Sequence, residues 1–448
     1  MDPRTKLLLE APIAPTLLRM AGPNMLVMLS QAAIGLIETY FVGKLGTDAL
    51  AAMSLVFPLV MFMQMTSAGA MGGGISSSIA RALGARNTDR ANSLVFHAIA
   101  IGMLFAFLFT VGILFGGKWL FTHMGGQGAS LEGALLYSHW AFGGAILVWL
   151  FNCLSSIIRG TGNMSLPAKV TVIGTLILIP VSPTLIFGLG PIPALGIVGG
   201  ALALLLFYLG GSVALVSYLL STKSLLKPNF KKVRFHKDQF WDILRIGLVG
   251  TISTVATNLA IGLTTAFVGE FGPAAIAGYG TGSRLEYVLV PLVFGFGAPM
   301  IAMVGTCIGA GNRERAMKVT WIGATLATAM TETIGLLAAV FPHQWLSIFD
   351  KDPKMIEIGT NYLHIVGPFY GFFGLALILY FASQGAGKLL WPVVGNVVRL
   401  LVAGLGGYLA MRFGWGLGGL FATQAAALIC YATVNTTAIA KGAWFKSK

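Results

Sequence analysis

Twelve apolar runs, each long enough to form a helix that crosses a bilayer, dominate this 448-residue chain. A helix that spans the hydrocarbon core needs about 20 mainly apolar residues. Because the runs use most of the chain, no segment is left for a soluble catalytic domain, and we expect an all-α polytopic membrane protein. The predicted spans cover residues 14–42, 48–77, 92–116, 128–158, 166–188, 194–220, 239–269, 273–306, 317–340, 353–383, 390–412 and 416–441.

The basic residues are concentrated on one side of the predicted membrane topology. The two tails and alternate loops hold 20 of the 29 Lys and Arg residues, whereas the opposite loops hold five. By the positive-inside rule, both termini are expected in the cytoplasm. As a separate expectation, we place the chain in the inner membrane of a bacterium. The net charge of +14 therefore reflects topology, and no nucleic-acid partner is expected.

The two halves of the sequence match each other at a nearly constant offset, close to half the length of the chain. Each half contains six predicted spans, so both halves enter the membrane from the same side and are related by an axis along the membrane normal. Such repeats usually enclose a central cleft; a duplicated scaffold without transport is the alternative. The matching segments are Phe41–Gly46 with Phe267–Gly272, Gly84–Ala91 with Gly309–Ala316, and Arg159–Gly162 with Gln384–Gly387.

This repeat predicts the domain organisation. We expect a cytoplasmic tail at 1–13, an N-lobe at 14–220, a cytoplasmic linker at 221–238, a C-lobe at 239–441 and a second cytoplasmic tail at 442–448. The lobes are expected to rock against each other about the cleft.

Glu38 is the first candidate for function because an acid at the centre of a span costs about 2.5–3.5 kcal/mol on insertion scales. Asn24, Gln31 and Glu38 are spaced by seven residues, which places them on one stripe of the first span. We expect this stripe to line the cavity between the lobes. Removal from water favours a protonated carboxyl group, whereas a cationic substrate favours a carboxylate, so proton and substrate would compete. Simple solvation at the outer end of the span is the alternative.

Further polar residues are expected to line the substrate cavity. Thr254, Asn258 and Thr265 form a stripe on the seventh span, although such groups also bond to their own backbone. Arg284 and Glu286 on the eighth span are two residues apart and cannot pair with each other, so partners on other helices, or a structural ion pair, are expected. Asn152 on the fourth span and Tyr370 on the tenth complete the set.

Sequence motifs for an enzyme or a cofactor are not found. The three cysteines lie in apolar segments without a CxxC pair. The GxGxxG pattern at 414–419 follows no strand, and Gly385–Lys388 lacks the spacing of a P-loop. We expect no enzymatic activity, metal or cofactor.

Several of these segments resemble the multidrug and toxic compound extrusion (MATE) family over nearly the whole chain. The resemblance implies two six-helix lobes and cation-driven export of amphipathic, often cationic, compounds by alternating access. It is closer to the DinF-like branch than to the NorM-like one, which has acids in the seventh and tenth spans. The supporting segments are Leu18–Pro23, Glu38–Gly46, Gly84–Asn87, Gly309–Asn312 and Ile158–Gly162.

One departure concerns the fifth span. Archaeal DinF-like members carry an Asn and an Asp where this chain has Leu178 and Ser182. Sodium coupling is disfavoured, since a hard cation needs several converging oxygen ligands.

The sequence thus predicts a monomeric exporter in the lipid bilayer that exchanges protons, less favourably sodium ions, for amphipathic small molecules. Two alternatives remain: a flippase or exporter of a lipid-linked or polysaccharide precursor, and a membrane-embedded enzyme acting on lipids. The enzyme would need clustered acids, and no DDxxD-like pair occurs.

Overall fold

A computed structural model describes residues 2–229, 234–349 and 351–445 of the chain. Within these ranges the N-terminal half consists of helices connected by short loops. The helices are α1 (Pro3–Glu10), α2 (Ile13–Gly43), α3 (Thr47–Gln64), a π-helix (Met65–Met71), α4 (Gly72–Gly84), α5 (Thr88–His123), α6 (Gly128–Gly143), α7 (Ala145–Gly160), α8 (Ser165–Phe187) and α9 (Ile197–Leu220).

The C-terminal half repeats this organisation. Its helices are α10 (Lys237–Gly269), α11 (Pro273–Gly309), α12 (Arg313–Val340), α13 (Pro342–Leu346), α14 (Pro353–Val366), a 3-10 turn (Gly367–Phe369), α15 (Tyr370–Ala386), α16 (Leu390–Arg412) and α17 (Gly416–Ala440). The predicted linker is described only at 221–229 and 234–238, and residues 446–448 of the predicted C-terminal tail also lie outside the described ranges.

The twelve-helix membrane fold expected from the apolar runs is confirmed. Eleven helices in the described ranges are long and apolar enough to cross a membrane, some of them continuous across a π or 3-10 turn. The twelfth span is the pair α6 and α7, which meet at a 46° bend. A Cβ atom on Gly144 at this bend would overlap the side chain of Leu205 of α9, so a residue without a side chain lets the bent pair approach its neighbour.

The two equivalent loops of the sequence repeat, at Asn87 and Asn312, begin the next helix in the same way. Asn87 caps α5 by accepting a hydrogen bond from the Arg90 amide at 2.9 Å, and Asn312 caps α12 by accepting one from the Arg315 amide at 3.0 Å. Side-chain capping satisfies a backbone N–H group that has no partner inside the helix. The repeated asparagines therefore fix helix starts.

The lobes contact each other on the side where the described linker residues lie, here called the linker side. A Cβ atom on Gly84 would overlap the carbonyl oxygen of Thr306, and one on Gly309 would overlap that of Arg81. Gly84 corresponds to Gly309, and Arg81 to Thr306, at the offset of the sequence repeat. The two contacts are therefore equivalent and are related by the pseudo-twofold axis between the lobes.

Hydrogen bonds between the lobes are not found toward the opposite side in the described part of the chain. Among the described residues, the interlobe hydrogen bond farthest from the linker side joins Asn24 of α2 to Phe294 and Gly295 of α11. Asn24 lies about 16 Å along the axis of α2 from its first residue, whereas Glu38 lies about 37 Å along it. In the described ranges, the hydrogen bonds between the lobes thus lie in the half of the molecule nearer the linker.

Candidate functional site

Glu38 lies inside the N-lobe and not on the wall of the cleft. Its side chain is 2% exposed, and its Oε1 atom accepts a hydrogen bond from the Ser182 hydroxyl of α8 at 3.1 Å. The Oε2 atom has no hydrogen-bond partner among the described residues. It faces Gly200 of α9, where a Cβ atom would approach it to 2.7 Å. The alternative reading, in which Glu38 is simply solvated at the end of its span, is not found in this conformation.

This position differs from the expected cavity-lining role because of how α2 packs. The C-terminal half of α2 contacts α8 and α9 of its own lobe, so its polar stripe turns into the N-lobe there. The N-terminal half contacts α11 of the other lobe, where Asn24 donates hydrogen bonds to the carbonyl oxygens of Phe294 at 2.8 Å and Gly295 at 3.1 Å. Gln31, between them, is half-buried. The single polar stripe therefore lies in two different environments: it contacts the C-lobe at Asn24 and faces the N-lobe interior at Glu38.

Gly200 contributes to this site, but the sequence gives only an indirect signal of its role. Gly199 and Gly200 form a pair in the first turn of α9, and small residues in a span often mark close helix contacts. Only the packing of α9 on α2 shows that the contact is with Glu38.

The stripe on α10 lies on an accessible face but bonds to its own helix. The hydroxyls of Thr254 and Thr265 donate to the carbonyl oxygens of Gly250 and Ile261, four residues earlier. The Asn258 amide likewise donates to the Thr254 carbonyl at 2.8 Å. Asn258 and Thr265 are exposed and Thr254 is half-buried. These side chains therefore line an accessible surface, but part of their hydrogen-bonding capacity is already used by the backbone of α10.

Glu286 belongs to a polar network within the C-lobe. Its Oε2 atom lies 3.9 Å from the Arg399 guanidinium of α16, and its Oε1 atom accepts a hydrogen bond from the Tyr362 hydroxyl at 3.3 Å. The Tyr362 hydroxyl in turn lies 3.2 Å from that of Tyr370, which is fully buried. Glu286 and Tyr370 are thus in the lobe interior and not on the cleft wall, and the ion pair left open by the sequence involves Arg399.

Asn152 supports the π-helix and does not reach the cleft. It is 2% exposed, and its amide donates hydrogen bonds to Gln64 and to Ser67, both at 2.8 Å. The Gln64 amide also donates a hydrogen bond to the Tyr208 hydroxyl of α9. Gln384 approaches from the other lobe and donates to the Ala70 carbonyl at 3.1 Å. The π-helix is therefore held by both lobes.

Arg284 is the one candidate that stays exposed on α11. Its guanidinium lies over the ring of Phe349, 5.2 Å from the ring centre. The ion pairs found among the described residues do not include it. The expected pairing with a carboxylate of another helix is thus absent from the described part of the chain.

Groups of three or more residues suited to hold a metal ion are not found in the described ranges. Glu38 and Glu286 lie in different lobes, each with a hydroxyl group as hydrogen-bond donor. Within the described part of the chain, Glu286 has a cation beside it and Glu38 does not. Of the two carboxyl groups, Glu38 is therefore the one whose burial depends more strongly on its being protonated.

Comparison with known proteins gives a consistent result over the whole chain. The MatE family model matches residues 23–184 and 251–409. The FAD transporter of Shewanella oneidensis is 28% identical over 412 residues, 90% of each chain. The probable multidrug resistance protein YoeA of Bacillus subtilis is 29% identical over 390 residues, 84% of this chain and 82% of YoeA. A solved outward-facing multidrug resistance MATE transporter of the MOP superfamily superposes with a TM-score of 0.89 at 22% identity over 100% of both chains.

Proposed function

Because the chain belongs to the MatE family, we propose that it is a secondary active exporter that moves amphipathic organic compounds out of the cell in exchange for protons. The observation that supports proton coupling is the burial of Glu38 beside a single donor. A carboxylate removed from water needs a cation or several donors, and leaving it without them costs several kcal/mol. With one hydroxyl donor, the described site suits the neutral acid.

Coupling between proton binding and substrate transport would then arise from the packing of helices around Glu38. Loss of the proton favours a conformation in which α8 and α9 move away from α2 and water reaches the carboxylate. Since α2 also contacts α11 through Asn24, that movement reaches the contact between the lobes. Proton binding would thus stabilise the closed N-lobe seen here, and proton release would favour its rearrangement. This differs from direct competition between a proton and a cation in one cavity.

We further propose that the linker side faces the cytoplasm of the bacterium, with both termini there and the protein in the inner membrane. The excess of basic residues on this side supports the orientation. Because the hydrogen bonds between the lobes lie toward the linker, the structure would then correspond to a state open to the exterior, in which substrate leaves and a proton enters. A single chain contains both lobes, so the proposed functional unit is the monomer.

Dye transport by proteoliposomes under separate pH and sodium gradients tests this proposal. The variant Glu38→Gln keeps the shape of the side chain but cannot release a proton. Glu132→Gln, an exposed acid on α6, is the matched control. We expect a pH gradient to drive transport in the wild type and the control, and Glu38→Gln to abolish it. Transport that persists in Glu38→Gln, or that only sodium drives, would overturn proton coupling at Glu38.

A flavin dinucleotide is a second candidate substrate. The Shewanella oneidensis relative is named a FAD transporter, whereas YoeA is named a probable multidrug resistance protein. The structural observation that favours this candidate is that Glu38 and Glu286, the acids within α2 and α11, both face lobe interiors. FAD-loaded proteoliposomes under the same pH gradient would distinguish the two, because a drug exporter without affinity for FAD would leave the flavin inside.

A further inference from the structure

His97 of α5 is a fully buried histidine on the linker side of the N-lobe. It lies about two and a half turns from the start of the helix, and the ring of Phe235 from the linker lies against it, with 5.4 Å between the ring centres. Farther back in the linker, the Lys227 amide donates a hydrogen bond to the Asn92 side chain of α5 at 2.8 Å. The linker thus folds onto α5 beside a titratable side chain that the proposed exchange of protons and substrate does not use.

The hydrogen bonds of His97 require a neutral imidazole ring. Its Nε2 atom accepts a hydrogen bond from the backbone N–H group of His236 at 2.9 Å, so this nitrogen carries no proton. Its Nδ1 atom lies 2.9 Å from the carbonyl oxygen of Ser93, which can only accept, so the proton of the ring is on Nδ1. Both ring nitrogens are therefore occupied, and their partners determine the tautomer.

The hydrogen bond from His236 to His97 joins the two lobes. His236 directly precedes the first turn of α10, the first helix of the C-lobe, whereas α5 belongs to the N-lobe. Arg90 of α5 also lies 3.3 Å from Asp238 of α10, but these side chains are 37% and 64% exposed, so water and salt screen their attraction. The bond to His97 is thus a buried link between the N-lobe and the start of the C-lobe.

The titratable groups nearest His97 lie on the linker and at the start of α10. The ring of His236 is 6.2 Å from that of His97 between ring centres, and a charge on both rings would repel. Asp238 would attract a charged His97, but it already pairs with Arg90. Protonated His97 would therefore have no free carboxylate beside it among these groups.

The other helices that pack on α5 offer His97 no free acid either. On α4 the charged side chain is Arg81, which pairs with Asp242 at 2.9 Å, and on α7 it is Arg159, which donates a hydrogen bond to Ser156. Helices α3 and α6 meet α5 about 18 Å farther along. The exposed charged residues that border the surface cavity beside His236 are Asp89, Lys227 and Arg234.

A proton that binds to Nε2 from water would break the link. An imidazolium ring has two donors and no acceptor, so the N–H group of His236 would lose its acceptor and point at another donor. A buried cation without a carboxylate partner is also unfavourable. The start of α10 would then move away from α5, and water would bind both N–H groups.

We propose that His97 is a pH-sensitive switch between the lobes: the neutral ring holds the start of α10 against α5, and protonation releases it and favours opening of the linker side. The closed contact is complete where the ring is neutral and is lost as the pH falls through the range in which histidine titrates. This sign is opposite to that proposed for Glu38, whose protonation stabilises the structure seen here. A final step rests on the proposed function, which places the linker in the cytoplasm: acidification of the cytoplasm would favour the state that opens toward it.

Distances between spin labels test the switch. Labels at Lys169 of α8 and Lys388 beyond α15, both exposed, report on opening of the linker side in the purified full-length protein. The parent and all variants carry Glu38→Gln, so that titration of Glu38 does not contribute. Between about pH 8 and about pH 5, we expect the ratio of open to closed molecules in the parent to rise about tenfold.

Three substitutions separate His97 from its neighbours, and a fourth is the control. His97→Gln offers a carbonyl oxygen to the His236 N–H group at every pH, so it should stay closed at both values. His97→Leu has no acceptor, so its ratio should be raised at both values. His236→Gln removes the neighbouring ring but keeps the backbone donor, so the pH response should persist. In His123, an exposed residue of α5, the ring likewise contacts the carbonyl oxygen of the preceding turn, and His123→Gln should respond as the parent does.

Distances that do not change with pH in the parent, or a response that persists in His97→Gln, would overturn the inference. If His97→Leu failed to fold, the comparison of the parent with His97→Gln would still decide. Dye transport is measured separately in proteoliposomes with Glu38 intact. Proton-driven transport without a His97-dependent response contradicts the switch alone, whereas a His97-dependent response without proton-driven transport supports the switch and contradicts the proposed function.

Discussion

Asn24 and Glu38 lie on one stripe of α2, about four turns apart, but their side chains bond in different lobes. The Asn24 amide is 2.8 Å from the Phe294 carbonyl of the C-lobe, and the Glu38 carboxyl is 3.1 Å from the Ser182 hydroxyl of the N-lobe. One helix thus connects the candidate proton site to the contact between the lobes. Pro23 lies next to Asn24 within this helix and removes a backbone hydrogen bond there, which permits bending.

Gly200→Ala is expected to disturb the Glu38 site. The new methyl group would lie 2.7 Å from the Glu38 Oε2 atom and 3.0 Å from a Val42 methyl carbon, so α9 or α2 must shift. Overpacking of this kind costs about 1–3 kcal/mol. We expect a lower melting temperature in detergent and slower proton-driven transport. Gly210→Ala on the same helix meets no atom within 4 Å, so it should melt no lower than the wild type and transport at the same rate. Equal behaviour of the two variants would contradict close packing at Gly200.

Gln384→Leu is expected to loosen the contact between the C-lobe and the π-helix. The substitution removes the hydrogen bond to the Ala70 carbonyl while retaining a side chain of similar size. A buried carbonyl left without its partner costs about 1–3 kcal/mol. Distances between spin labels at Thr222 and Lys388, both near the linker side, should show more molecules open there. As a control, Gln344→Leu at an exposed position should leave the distance distribution unchanged. An unchanged distribution in Gln384→Leu would show that the hydrogen bond from Gln384 does not hold the lobes together.

Arg81 and Asp242 are expected to stabilise the closed linker side as a pair. Their side chains are 16% and 22% exposed, and both carboxylate oxygens of Asp242 accept hydrogen bonds from Arg81 at 2.9 Å. A double-mutant cycle with Arg81→Gln and Asp242→Asn, measured by the same spin-label distances, should give a coupling energy of about 1.5 kcal/mol or more.

The pair Lys318 and Glu314 provides the control for that cycle. Its nitrogen–oxygen distance is shorter, at 2.6 Å, but the side chains are 63% and 80% exposed. Water and salt screen such a pair, so no coupling should be resolved. Additive effects of the Arg81 and Asp242 substitutions would show that the interlobe pair does not hold the lobes together.

Arg399→Leu is expected to destabilise the C-lobe more than Glu286→Gln. Removing Arg399 leaves the carboxylate of Glu286 buried without its cation, at a cost of about 3–5 kcal/mol. Glu286→Gln removes the charge and can still accept the hydrogen bond from Tyr362. Thermal unfolding in detergent should show the larger loss for Arg399→Leu, and the double substitution should recover part of it. If Glu286→Gln proved the more damaging, the network would have a role other than pairing charges.

The spans and the repeat could be predicted from the sequence. Apolar length determines which segments cross a bilayer, because every backbone polar group must be satisfied inside the helix there. The offset between the two halves predicted that Gly84 and Gly309 are equivalent, and the structure shows them in equivalent contacts. Glu38 could be identified as a candidate because an acid in a span is costly wherever it points.

The directions of the polar side chains were decided by the tertiary structure alone. Helical periodicity places Asn24 and Glu38 on one stripe, but it does not specify which neighbour each end of α2 meets. Because the C-terminal half of α2 packs along α8 and α9, Glu38 is enclosed in the N-lobe, whereas Asn24 bonds to the C-lobe. A single sequence specifies the local face of each helix, whereas the surroundings of each polar side chain depend on how separate helices pack, since only packing determines which faces are buried.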